Sequence, residues 1–377
     1  AAMTVLSLSG AVPVLADETA AILANAAKSP AVHTAPEGYD QNDFNKVRTF
    51  LEQTDSNGIR NGEKLNPDGY DPDDPESWGA LFVDEWGFEH EAYFDWEEVD
   101  GINRMFAINL TYIKDFAGTF DMSGLDALST LDVDGGNFTT ADLSNCYEMT
   151  HCYFANSTLS SVNLFNCANV TELYLQDNEL TEVLNLGDCT SLLFLDILMN
   201  NDLEEIDLSG CERIIEHLDF SQTKISDVNE TEMFALCEFG CESSGITELD
   251  LRNCNYLNYV NCNFCDMDFL YLPELPNNLA VNCMETGLTE LNYENCGGIY
   301  DLSISGNPGL TGKLNLASNP YLMNVSADNC GFTEVDAAGC EALEGLDISD
   351  NNISGVLDLS DCKQLLQLYT TGNKFTE

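Results

Sequence analysis

The sequence predicts an elongated α/β solenoid, a stack of short parallel strands behind a small helical N-terminal cap. Three observations carry this. The chain has 377 residues, above the size at which a single compact core keeps growing. Its fifteen cysteines are periodic: Cys146, Cys167, Cys189 and Cys211 follow one another at 21, 22 and 22 residues, and Cys254, Cys296, Cys340 and Cys362 continue at single or double multiples of that step. Within each interval apolar residues alternate, as in Leu173-x-Leu175 and Leu195-x-Ile197, which marks a short strand with one face turned inward. A fixed period of this length is the signature of stacked units, none of which can bury its apolar face alone.

Residues 1–16 form an uncharged apolar stretch ending in Val14-Leu15-Ala16 before Asp17-Glu18. It reads as the remnant of a signal peptide, too short to span a bilayer, and points to a secreted or cell-surface protein. Residues 17–105 read as the N-terminal cap. Between Asn42 and Thr54, Phe44, Val47, Phe50 and Leu51 fall at helical spacing, and Asp55-Ser56-Asn57-Gly58 closes the helix with turn chemistry. A cluster of Trp78, Trp86, Phe94 and Trp96 follows, and Ile108 with Leu110 marks the first strand. The first coil of a solenoid has an open apolar end, which a helix and a tryptophan cluster would cover. No cysteine precedes Cys146, so packing alone must hold this cap.

Residues 106–377 carry the repeats. One unit reads Val170-x-x-Leu173-x-Leu175-x-x-Asn178-x-Leu180, and the next supplies Leu192, Leu195, Ile197, Asn200 and Leu203 in the same frame. A late one supplies Leu343, Leu346, Ile348, Asn351 and Ile353. This resembles the leucine-rich repeat, L-x-x-L-x-L-x-x-N/C-x-L, in the short bacterial form of internalin-like surface proteins, over some two thirds of the chain. The resemblance implies a right-handed superhelix of about 12 coils, with short parallel strands on the concave face and an irregular or 3-10 return on the convex side. The repeats reach Lys374-Phe375-Thr376-Glu377 directly after a strand, so a C-terminal cap is expected beyond this sequence.

Several positions follow from the frame. Asn178, Asn200, Asn307, Asn351 and Asn373, with Cys265 and Cys330 at the same place, should bond backbone groups of neighbouring coils. Cys152, Cys241, Cys262 and Cys283 read as replacements of the second strand leucine, small hydrophobes in the core. One extra residue between Cys211 and Leu218, and a missing Leu-x-x-Cys step between Asn229 and Leu236, predict a local kink.

The composition limits function. Sixty-five acidic against thirteen basic residues leave a formal charge of −52, which excludes nucleic acid and anionic membrane as partners. The histidines His33, His90, His151 and His217 are scattered and no nucleophile, phosphate-loop or zinc-protease motif is present, so no enzyme is expected. Cys262-x-x-Cys265 and Cys237-x-x-x-Cys241 are single pairs without a neighbouring histidine, short of a zinc site. Asn66, Asp68, Asp71 and Asp73 around Gly69 form a calcium candidate; against it stand the lack of a bidentate glutamate and the stiffening prolines Pro67, Pro72 and Pro75.

The residues flanking the inward strand positions would form the binding face. Coil by coil these are Asp132 and Asp134, His151 and Tyr153, Glu172 and Tyr174, Phe194 and Asp196, His217 and Asp219, Glu238 with Glu242, and Tyr259 with Asn261. Beyond Ala280 the face turns to Ser303, Ser305, Ser326 and Ser349 and loses its anchors. The resemblance implies recognition of a protein ligand, host-derived in the internalin manner, and the acidic face calls for a basic one. A glycan stacking on Tyr153, Tyr174 and Phe194 is the alternative, as is a recognition part of a larger protein whose catalytic module lies elsewhere.

Overall fold

The computed structural model describes residues 33–375, apart from 84–86, 112, 114, 275–277, 294–295 and 318. The apolar stretch 1–16 and Trp86 therefore lie outside the described residues. The chain winds as a solenoid along one 15-stranded sheet. The sheet opens with Ala80–Val83 antiparallel to Glu89–Val99, which forms a hairpin with Ile102–Asn109, and this last strand pairs parallel with Thr130–Asp134. From there every rung is parallel to the next, through His151–Ala155, Glu172–Tyr174 and Phe194–Asp196 to Gln367–Tyr369.

The register explains the period. Leu131, Cys152, Leu173, Leu195, Leu218, Phe239 and Val260 are successive partners and are fully buried. Each coil contributes a second inward residue two positions on, Leu175, Ile197 and Phe220 among them. Cys241, Cys262 and Cys283 occupy this second site on consecutive coils, as read from the sequence. Cys152 does not: it pairs with Leu131 and Leu173 and takes the first. All fifteen cysteines are free thiols, and only Cys237 is not buried.

Stacking leaves backbone groups at each turn without a ladder partner, and the asparagines supply one. Asn178 Nδ2 donates to the Phe154 carbonyl one coil back (2.8 Å) and to the Leu175 carbonyl (3.0 Å), while its Oδ1 accepts from Leu159 N–H (3.2 Å). Asn200, Asn307, Asn351 and Asn373 repeat the arrangement. Cys265 and Cys330 keep the cross-coil donation, to the carbonyls of Cys241 (2.9 Å) and Ile304 (3.2 Å). The periodic cysteines form a second such column: the thiols of Cys146, Cys167 and Cys340 donate to Met122, Leu143 and Leu316 at 3.2–3.4 Å.

The return side differs from the irregular or 3-10 course that was expected. It carries short parallel strands in separate pieces, such as Thr181–Asn185 with Asp202–Asp207 and Glu248–Asp250 with Phe269–Tyr271. The reason is local: Glu248-Leu249-Asp250 alternates with Leu249 inward, enough for one rung of pairing. The irregularity at 211–236 falls on this side. The return strands break between Asp202–Asp207 and Glu248–Asp250, and a 3-10 turn, Glu230–Glu232, stands in the gap. On the long sheet Phe194–Asp196 pairs with His217–Asp219, and His217–Asp219 with Glu238–Gly240, without a register shift, so neither the extra residue nor the missing step disturbs the strand face.

A helix ahead of the hairpin packs against the first coil. The helix spans Gln41–Leu51, capped by Asp40, whose carboxylate accepts from the N–H groups of Asn42 and Asp43. Its Phe50 ring lies 5.4–5.9 Å from the rings of Phe116, Phe120 and Phe138, which line the open end of the repeats. Trp78 packs on Phe44 at 5.2 Å and on Trp96 at 6.1 Å. Asp43 is wholly buried and ties helix to sheet: it accepts from Arg104 Nε at 2.8 Å and from Met105 N–H at 3.0 Å.

Candidate ligand-binding surface

The residues on either side of each inward strand residue project from the open face of the long sheet, one rung per coil, at the roughly 4.8 Å spacing of paired strands. The register places His151, Glu172, Phe194, His217, Glu238 and Tyr259 in one column, and Asp132, Tyr153, Tyr174, Asp196, Asp219 and Asn261 in the other. Two frame assignments are corrected. Asp134 pairs with Ala155, one step further along the strand. The position after Phe239 belongs to Gly240 and not to Glu242. In the second half Ser303 and Ser326 lie on the face beside Asp301 and Asn324, whereas Ser305 and Ser349 fall past the strands.

Within these columns the side chains touch. Tyr153 and Tyr174 have ring centroids 5.9 Å apart, Tyr174 and Phe194 4.8 Å, and Phe194 and His217 3.9 Å with planes only 4° apart. The run therefore crosses diagonally between columns, from the residue after the inward position to the one before it. His151 closes its start at 5.6 Å from Tyr174. All five of these residues are half-buried.

Carboxylates line the run. Asp132 and Glu172 stand 3.1 and 3.2 Å from the two ring nitrogens of His151, and Glu238 stands 2.8 Å from His217 Nδ1. Asp196 accepts from Leu198 N–H at 3.1 Å and Asp219 from Ser221 N–H at 2.8 Å, so each is oriented by its own turn. Gly240 makes room for the second of these, since a Cβ there would meet the Asp219 carboxylate at 2.6 Å. Burial, and then the neighbouring charge of Asp219, push the Asp196 carboxyl above its usual range. Burial and then Glu172 push the Tyr174 hydroxyl up. No lysine or arginine stands at a flanking position between Thr130 and Asn261.

The acidic loop of the cap is organised differently. Asn66 donates to the Ser77 carbonyl, Asp71 accepts from Asp73 N–H, and Asp73 pairs with Arg48 at 3.3 Å. Its oxygens thus serve the loop and the helix and do not converge as calcium ligands would. Among the described residues no group of three or more His, Cys, Asp or Glu side chains is gathered to hold a metal ion.

No protein-family sequence model matches the chain, and no curated protein matches it in sequence. Solved structures do match. The functional domain of InlJ from Listeria monocytogenes, which includes a cysteine ladder, superposes with a TM-score of 0.51 at 17% identity, covering 74% of this chain and 72% of that one. The leucine-rich repeat ectodomain of the Arabidopsis thaliana receptor kinase GASSHO1/SCHENGEN3 gives a TM-score of 0.51 at 16% identity, covering 75% of this chain and 43% of that one. At these identities the likeness is one of fold: the chain is a leucine-rich repeat solenoid. Its structural neighbours include a bacterial internalin, as the repeat pattern implied.

Proposed function

We propose that the chain is a non-enzymatic recognition protein, secreted or displayed at the cell surface, that captures a basic protein ligand on the strand face of its N-terminal coils. The observation that carries this reading is the run of touching rings from Tyr153 to His217 between carboxylates, on a face whose coils from Asp301 to Asp347 carry no aromatic ring at these positions. Half-buried aromatic residues in a charged surround have the composition of binding hot spots. The net charge of −52 would steer a basic ligand inward from long range. The fold is compatible with such a role: the plant ectodomain was solved in complex with CASPARIAN STRIP INTEGRITY FACTOR 2. Among the described residues no helix is long and apolar enough to cross a membrane.

The test compares capture of surface-extract proteins by the wild-type chain and by a Tyr153→Ala, Tyr174→Ala, Phe194→Ala variant, each at low and high salt, with captured proteins identified. A basic protein held by the wild type, released by salt and lost from the variant supports the reading. Equal capture by both chains refutes it, and release by free sugar in place of salt would transfer the face to a glycan.

A further inference from the structure

The strand face distinguishes between the two kinds of cation a basic protein can present. Resting on the protein-binding reading above, we propose that the face recognises arginine in preference to lysine, and that its occupant is an extended arginine-bearing segment of the partner laid along the ring run.

Three features of the geometry lead there. The rings form a continuous run, with Tyr174, Phe194 and His217 in contact at 4.8 and 3.9 Å, and each of these residues is half-buried and keeps part of its surface in solvent. Guanidinium is flat and weakly hydrated and stacks on aromatic faces, whereas an ammonium is a compact, strongly hydrated point charge. The His217 imidazole packs parallel on Phe194, with 4° between planes, so a guest cation must use the parts of the run that these two rings leave to solvent.

The carboxylates lie where a guanidinium edge would need them. Asp196 and Asp219 follow one another in the column beside Phe194 and His217, each oriented by a backbone N–H of its own turn. A fixed carboxylate suits the two-pronged bond that arginine makes and lysine cannot. The missing side chain at Gly240 keeps the Asp219 carboxylate low against the sheet. No lysine or arginine of the chain itself stands at the flanking positions of these coils.

The experiment titrates the full chain with fluorescein-labelled hexa-arginine and hexa-lysine peptides at physiological salt. Three chains are compared: wild type, a Tyr174→Leu, Phe194→Leu variant that keeps apolar bulk and removes the aromatic faces, and an Asp196→Asn, Asp219→Asn variant. A stacking contribution at a partly desolvated site corresponds to a preference for hexa-arginine of about tenfold in the wild type. That preference should disappear in the leucine variant, and the asparagine variant should bind both peptides more weakly. Far-UV circular dichroism and thermal melts confirm that each variant is folded. Equal affinity for the two peptides overturns the proposal, while weakening of both by the variants leaves the protein-binding reading standing. A preference that survives in the leucine variant also overturns it. If neither substitution pair changes either affinity, the peptides are held by the general negative charge, and the proposal fails together with the reading on which it rests.

Discussion

Replacing Asn307 by alanine tests the physical account of the repeat. The side chain is fully buried. Its Nδ2 donates to the carbonyls of Cys283 and Ile304, both at 2.8 Å, and its Oδ1 accepts from the N–H groups of Thr286 and Leu288 at 3.1 Å and from Thr286 Oγ1 at 2.9 Å. Truncation does not strand the carbonyls, because the Thr286 hydroxyl, released from Asn307 Oδ1, can turn its proton to the Cys283 carbonyl 3.2 Å away, and Ile304 still receives the Cys330 thiol at 3.2 Å. The two N–H groups lose their acceptor inside the core. A buried donor left unsatisfied costs about 1–3 kcal/mol, so the pair gives an expected loss of about 3–4 kcal/mol. Equilibrium urea unfolding measures the loss, and amide exchange should accelerate first at Thr286 and Leu288. A loss below about 1 kcal/mol, with unchanged exchange at both amides, would refute the claim that the asparagine column holds the coils together.

Other consequences follow from the same structure. Asp43→Ala removes a buried carboxylate bonded to Arg104 and Met105 and should destabilise the cap by about 3 kcal/mol, seen as an earlier thermal red shift of tryptophan fluorescence; an unchanged transition would contradict the role given to this pair. Phe264 sits at φ 59° with half its side chain exposed, in the turn position that other coils give to Asn156, Asp177 and Gly306. Phe264→Asn should therefore raise stability by about 1 kcal/mol in urea, and a loss of stability would show that the ring is needed for packing. Burial pushes the thiols of Cys189, Cys211, Cys254 and Cys296 up to about 12. The unfolded chain then releases these protons from about pH 8.5 upward while the folded chain retains them, so stability is intact below that pH and falls as pH rises toward 12. A Cys189→Ala, Cys211→Ala variant should show a shallower decline of the urea midpoint between about pH 8 and pH 10, whereas parallel declines would contradict the assignment.

The solenoid was legible because its period is written twice, in Leu-x-Leu pairs and in cysteines one coil apart, and both signals arise from the same inward-facing sites. The helix of the cap was legible for a similar reason, through Phe44, Val47, Phe50 and Leu51. The hairpin before the first repeat was missed although Asp100-Gly101, with φ 53° and 83°, is a strong signal for a two-residue turn. Its strand Glu89–Val99 is rich in acidic residues, which hid the alternation. The return strands escaped because three residues with a single inward leucine carry too little pattern. On the face, the columns could be read from the frame, with errors at Asp134, which lies further along its strand, and at Gly240, where a glycine breaks the alternation that identifies a strand. The diagonal from Tyr174 to Phe194 could not be read, since it depends on the register between coils.

The central claim is that ligand is bound on the strand face of the N-terminal coils, and site-directed photo-cross-linking tests it most directly. A benzoylphenylalanine would replace Phe194 on the ring run, Ser326 on the later part of the same face, or Phe165, which is exposed past the return strand Ser161–Asn163. After irradiation in surface extract, the account predicts protein adducts from position 194 well in excess of those from 326 and 165. Adducts of equal yield at all three positions, or a maximum at 165, would contradict it.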